Sequence, residues 1–276
     1  MHPKEQFGEF LRRRRELLSP LDVGLPAGAR RRTPGLRRDE VAGLAHMSTR
    51  YYERLEQGGG PQPSAGVLAR VAEVLRLSTD ERDHLYLLAG HAAPVKAADE
   101  GYVDPGLASV LTAMDRTAPG FISDDLGLLV AQNRLNVTLF GRMTGRKGYG
   151  SNLIWIWFTS PEWRDRLEPC AQHEQTGLAY VADLRAAAAQ RGHDSASTDL
   201  ICALHQASVE FTGLWNRGSV AALHCLNKEV HDERVGRLDL ECSVLTSPTS
   251  RQRLLLMQPV AGTPTGRRLR RLATHN

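Results

Sequence analysis

Lysine is nearly missing from this chain. Of 35 basic residues only Lys4, Lys96, Lys147 and Lys228 are lysine, so the abundance of arginine is by itself poor evidence for a nucleic-acid partner. Cysteine is scarce as well. Cys170, Cys202, Cys225 and Cys242 form no CxxC pair and read as buried thiols in a reducing compartment. Together with His224 and His231, Cys225 and Cys242 match no tight zinc spacing, so no metal site is expected. The longest apolar stretch, around Leu153–Phe158, falls far short of the roughly 20 residues that span a bilayer. Charges interrupt Phe7, Phe10 and Leu11, so no signal peptide is legible. The expectation is a cytoplasmic protein with no membrane partner. GxSxG, HExxH, P-loop and Rossmann fingerprints are missing too, which leaves no catalytic residue and no organic cofactor to name.

What is present is a globular composition, 41% hydrophobic and 24% charged over 276 residues, enough for two domains with their own cores. Charge is distributed unevenly. Residues 1–54 carry a net +5, residues 91–266 a net −3, and the run Arg267–Arg271 adds four arginines. A positive field therefore sits at the N-terminal end.

Residues 1–90 read as five helices. The first, about Glu5–Leu18, places Phe7, Phe10, Leu11, Leu17 and Leu18 on one stripe that Arg14 interrupts. A Pro- and Gly-rich connection, Ser19–Gly35, leads to helices over Arg38–Ala45 and Thr49–Gln57. Gly58-Gly59-Gly60-Pro61 stops the chain there. Two more helices begin at Ser64 and Ser78, the latter with Glu81 in a capping-box pattern. Residues 91–105 lack apolar periodicity and read as a linker. From 106 to 276 the pattern is mixed. A hairpin is expected over Gly120–Ala131 around Asp124-Asp125, helices over Leu178–Gln190 and Leu200–Trp215, and two strands around Leu238–Val244 and Leu254–Leu256. These two strands are joined by a turn at Ser247-Pro248-Thr249-Ser250. This is an α+β domain with an antiparallel sheet behind an all-α one.

The segment from Arg38 to Gly58 carries the functional argument. Ala42 is small enough for two helices to cross closely, and Val41, Ala45, Met47, Tyr52 and Leu55 fall where they share a core. Ser48 is a natural N-cap for the second helix. That leaves Thr49, Arg50 and Arg54, with Tyr51 beside them, on its outer surface, where residues of such a helix reach base edges in a major groove. Leu36-Arg37-Arg38-Asp39-Glu40-Val41-Ala42 and Tyr51-Tyr52-Glu53-Arg54-Leu55-Glu56-Gln57-Gly58 resemble the Xre-type helix-turn-helix family, in its actinobacterial branch with a C-terminal MmyB-like ligand-binding domain. Asp22-Val23-Gly24-Leu25-Pro26, Arg30-Arg31-Arg32-Thr33-Pro34-Gly35, Asn152-Leu153-Ile154-Trp155 and Phe158-Thr159-Ser160-Pro161 strengthen the likeness. The resemblance implies that Thr49, Arg50 and Arg54 contact bases and that Arg38 contacts a phosphate. Ser48, Arg30, Arg31 and Arg32 complete the candidate phosphate set. Arg12–Arg15 and Arg30–Arg32 are read equally as phosphate contacts or as solvated arginines. His46 departs from the family's glycine in the inter-helix turn, so strain is expected there.

For the second domain the resemblance implies a PAS-like fold able to hold a fatty-acid-like molecule. All four tryptophans lie beyond residue 150. Trp155, Phe158, Phe211 and Trp215 are the pocket candidates, with core filling as the alternative for each. Leu126-Gly127-Leu128-Leu129-Val130-Ala131 departs from the family's aromatic second strand, so the pocket's shape is expected to differ. The whole then reads as a sequence-specific regulator of transcription at the nucleoid, acting on double-stranded DNA as a homodimer and answering to a small apolar ligand. Two other readings are a constitutive regulator whose second domain only dimerises, and a DNA-tethered enzyme acting on lipids or aldehydes.

Overall fold

The computed structural model describes residues 3–26, 35–91, 101–218 and 227–274. The chain divides into two compact units, residues 1–94 and 95–276. Among the described residues the first unit has five α-helices: α1 (Pro3–Leu17), α2 (Arg38–Leu44), α3 (Thr49–Glu56), α4 (Ala65–Val74) and α5 (Thr79–Leu88). Serine opens three of them. The hydroxyls of Ser48, Ser64 and Ser78 accept the main-chain N–H of Tyr51, Val67 and Glu81 at 3.2, 3.4 and 3.3 Å, each cap contributing about 1 kcal/mol. The closing turns are equally regular. Met47, Gly59, Leu77 and His91 donate back to the carbonyls of Ala42, Arg54, Ala72 and Tyr86 at 2.8–3.0 Å. That closure needs one left-handed residue. It is glycine at Gly58 and Gly90, but His46 (φ 53°) and Arg76 (φ 47°) after α2 and α4. A side chain there costs about 1–2 kcal/mol, so the strain expected at His46 is present.

The first core joins Phe7, Leu11, Leu36, Val41, Ala42, Tyr52, Leu55, Leu68, Leu75 and Leu85. Helix α1 corrects the expected stripe: Leu17 is 72% exposed, whereas Arg15 is only 5% exposed. At 3.6 residues per turn, Phe7, Leu11 and Arg15 share a face that Leu17 cannot join. Gly8 lets α1 touch the end of α3 directly, since a Cβ at that position would stand 2.2 Å from the carbonyl oxygen of Glu56.

In the second unit, α6 (Pro105–Ala113) precedes the hairpin β1 (Gly120–Asp124) and β2 (Leu129–Gln132). A helical stretch follows: α7 (Arg134–Phe140), α8 (Leu153–Thr159), α9 (Pro161–Leu167), α10 (His173–Gln190), α11 (Ser195–Ala207) and α12 (Val209–Asn216). The chain ends with β3 (Lys228–Asp232), β4 (Gly236–Thr246), β5 (Gln252–Pro259) and α13 (Thr265–Thr274). The five strands form one antiparallel sheet in the order β2-β1-β5-β4-β3, so the α+β fold is as expected. Phe121, Leu255, Met257, Leu240 and Val230 face the helical stretch and join its core. Ile122, Leu254 and Leu256 face the other way, against Leu107 and Leu111 of α6.

Several expectations are revised here. The helix expected over Leu200–Trp215 is two, because Ser208 is extended (φ −142°) and its hydroxyl caps α12 through the Phe211 N–H at 3.1 Å. Strand β3 and helices α6, α7, α8 and α9 were not anticipated, and Pro105, expected as the end of the linker, opens α6. Among the described residues the cysteines are not buried thiols: Cys170 and Cys202 are exposed, and Cys242, half-buried, is disulfide-bonded; Cys225 lies outside the described residues. The Arg267–Arg271 run is the outer side of α13, whose Leu269 and Leu272 are buried.

The turn expected at Ser247–Ser250 is fastened to the start of this unit. Ser247 and Ser250 donate their hydroxyls to Asp104 Oδ2 at 2.6 and 3.3 Å, and Gln252 Oε1 accepts the Asp104 N–H at 2.7 Å. Asp104 in turn caps α6 through Gly106 and Leu107.

Candidate functional site

The pair α2–α3 is assembled from both of its inner faces. Ala42 and Ala45 are fully buried beside Tyr52 and Leu55. Arg70 on α4 donates its Nε to the Ala45 carbonyl at 3.0 Å, tying down the turn that aims α3. With Tyr52 and Leu55 turned inward, helical geometry places Arg50 and Gln57 at the centre of the outward face, flanked by Glu53 and Arg54. Thr49 is exposed at one margin, and Tyr51 is half-buried at the other, where it packs on the core. Arg50 and Arg54 are thus brought together with Thr49, while Tyr51 serves partly as core. Glu53 and Gln57 belong to the same face and were missed, although the spacing that singled out Arg50 and Arg54 contained them.

Counter-charges sort the arginines of this unit. Arg12 meets Glu16 at 2.9 Å, Arg13 meets Glu9 at 2.5 Å and Arg14 meets Glu81 at 2.5 Å. Arg15, buried, meets Glu56 at 2.6 Å. The run Arg12–Arg15 is therefore neither a free phosphate grip nor simply solvated. Glu56, with a side chain 1% exposed, also accepts from Arg38 Nε at 2.7 Å. One buried carboxylate so joins α1, the start of α2 and the end of α3. Burial works against the charge on Arg15, yet the Glu56 hydrogen bond and charge outweigh it and its pKa is raised. Burial, with the Glu56 charge in second place, keeps the Tyr52 hydroxyl protonated.

Arg38 is half committed: its Nε goes to Glu56 while its side chain stays 41% exposed. The neighbouring Arg37, which sequence reasoning passed over, is exposed at the start of α2, with its main-chain N–H held by Glu40 at 2.7 Å. Arg37, Arg50 and Arg54 have no carboxylate partner among the described residues. Ser48 is exposed, with its hydroxyl engaged as the α3 cap. Arg30, Arg31 and Arg32 lie outside the described residues.

In the second unit three of the four pocket candidates touch. Phe158 and Phe211 meet edge-to-face at 5.2 Å, and Trp215 stacks on Phe211 at 5.5 Å. His205 lies against both Phe211 and Trp215. Arg185 covers Trp215 at 4.2 Å from its ring centre. Trp155 pairs instead with Tyr149, at 5.1 Å. A second aromatic group was missed. Trp157 is fully buried, with His173 and Tyr180 each 5.5 Å from it. Its place in the continuous apolar run Leu153–Phe158 gave no face by which to tell it from Trp155. Of the imagined metal ligands, His231 is exposed, and His224 and Cys225 lie outside the described residues. Among the described residues no helix is long and apolar enough to cross a membrane.

Two family models match the chain. A helix-turn-helix domain covers residues 6–85. A domain described as the MmyB-like transcription regulator ligand-binding domain covers residues 103–272. No curated protein matches it.

Proposed function

Because the chain belongs to the MmyB-like transcription regulators, with a helix-turn-helix domain ahead of the ligand-binding domain, we propose that it is a cytoplasmic, sequence-specific DNA-binding regulator under the control of a small apolar, fatty-acid-like molecule. The observation that carries this reading is the set Arg37, Arg50 and Arg54, exposed around a capped α2–α3 pair and uncompensated by carboxylates among the described residues. Arg50 and Arg54 read base edges from α3, each good arginine–guanine contact contributing about 1–3 kcal/mol of discrimination. Thr49 and Tyr51 make the flanking contacts. Arg37, the exposed part of Arg38 and Ser48 hold phosphates at the rim. The aromatic cluster of Phe158, Phe211 and Trp215 supports an apolar ligand in the second unit; Trp155, paired with Tyr149, stands apart from it. The protein acts as a homodimer, which sets two half-sites about one helical turn apart.

Selection of bound sequences from a random DNA pool by the full chain, with and without long-chain lipids, tests the reading. The expected product is a motif of two related half-sites whose recovery changes when lipid is present. Recovery of no enriched motif would sink the DNA assignment. A motif indifferent to every lipid would sink the ligand half alone.

A further inference from the structure

Inside the apolar core of the second unit lies an island of polar groups that the described residues leave partly unsatisfied. Glu168, just past α9, is 1% exposed, and Lys228, at the start of β3, is 5% exposed. The Lys228 ammonium donates to Glu168 Oε2 and, at 3.4 Å, to the hydroxyl of Thr176. His173 bonds the Glu168 main-chain oxygen at 3.1 Å and meets Trp157 edge-on. Two atoms of the island are buried without a hydrogen-bond partner among the described residues, the acceptor Glu168 Oε1 and the donor Trp157 Nε1. A buried polar atom left unpaired costs about 1–3 kcal/mol, and a folded protein retains such atoms for a reason.

The island adjoins the aromatic cluster. A Cβ at Gly177 on α10 would stand 3.0 Å from Leu214, 3.4 Å from Trp157 Nε1 and 3.7 Å from Phe158. The missing side chain therefore brings the indole N–H and the Phe158 ring, which itself meets Phe211, against the same turn of helix. The charges of Glu168 and Lys228 cancel each other. A further anion brought here would lose its hydration and face a carboxylate already paired, whereas a neutral donor–acceptor group would supply what the two open atoms lack.

We propose that this island is the head-group site of the ligand-binding domain, and that its ligand is an apolar chain ending in a neutral hydrogen-bonding group, a primary amide or a hydroxyl, that donates to Glu168 Oε1 and accepts from Trp157 Nε1. The inference rests on the reading that the second unit binds a small apolar molecule, and it narrows the fatty-acid-like ligand to one whose polar end is neutral in place of a carboxylate.

The test uses the full-length protein and three probes of equal chain length: decanamide, 1-decanol and decanoate. Calorimetry should give decanamide and decanol at least tenfold lower Kd than decanoate. Replacing one partner of a buried ion pair can unfold a domain, so the variant is the charge-balanced double Glu168→Leu/Lys228→Met. An apolar replacement of a whole pair is often neutral or stabilising. It should keep the wild-type Tm or raise it while losing at least tenfold in decanamide affinity, with decanoate unchanged. Equal binding of all three probes, tighter binding of decanoate, or a double variant that binds decanamide as well as wild type would each overturn the head-group assignment and leave the apolar-ligand reading standing. No binding of any probe, by wild type or variant, overturns both.

Discussion

Along α1 each arginine of the run Arg12–Arg15 meets a carboxylate of its own unit, whereas Arg50 and Arg54 on α3 meet none among the described residues. In sequence the first group is the more conspicuous: four consecutive cations against two that are spaced. The structure reverses their importance for a polyanionic partner. Cations whose charge is already spent on Glu9, Glu16, Glu81 and Glu56 have little to offer a phosphate. A cation left uncompensated on an exposed face is costly to nothing and free to bind. The dense run thus holds the unit together at Arg15, and the uncompensated arginines of α3 mark where it acts.

The comparison breaks most visibly at Arg15. Arg15→Ala would leave Glu56 buried with one of its partners gone, and loss of a partner from a buried pair costs about 3–5 kcal/mol. Urea unfolding of the full chain should show that loss in the first-unit transition, and a variant that unfolds like wild type would mean the pair is ornamental.

The next effect separates the two groups by function. Arg50→Ala with Arg54→Ala should weaken binding to the selected operator by about 100-fold or more, whereas Arg12→Ala with Arg13→Ala should change it less than about threefold. Arg37→Ala, at the rim, should act evenly on all sequences and reduce the slope of log K against log salt by about one unit. Equal losses from the α1 and α3 pairs, measured by fluorescence anisotropy, would erase the distinction.

The smallest effect is expected at the Arg12–Glu16 pair on the surface. The Arg12 hydrogen bond holds the Glu16 carboxyl below its ordinary value of 4.5. A depressed acid stabilises the fold above that ordinary value and ceases to as pH falls through the depressed one. Arg12→Ala should shift the urea midpoint only slightly at pH 7 and low salt, and not at all once Glu16 is protonated in wild type. A gap between the two proteins that persists or widens in acid would contradict that assignment.

How much of this was legible beforehand follows the range of the interactions. The α2–α3 pair could be read from residues 38–58 because its determinants are local: an N-cap, a small residue at the crossing and a closing turn. The fate of Arg15 could not: its spacing from Phe7 and Leu11 puts it on the inward face, but the partner that lets a cation stay there lies 41 residues away. Strand β3 was invisible for a similar reason. Its sequence, Lys-Glu-Val-His-Asp, shows one apolar residue, and Lys228 is inward only because Glu168 receives it. The run Leu153–Phe158 was apolar throughout, which suits a buried strand and a buried helix alike. Asn152, capping Trp155 at 3.0 Å, decides for the helix. In the ligand-binding unit the aromatic set was recovered in part, because residue type predicts burial better than it predicts which rings meet.

The division of α3 and its capping residue Gln57 into inward Tyr52, Leu55 and Glu56 and outward Thr49, Arg50, Glu53, Arg54 and Gln57 makes the helix exchangeable by halves. An engineer wishing to redirect this regulator to another promoter would rewrite the five outward positions and carry Tyr-x-x-Leu-Glu through untouched. A wholesale transplant that dropped Glu56 would strip the scaffold of its clasp before any new operator could be read.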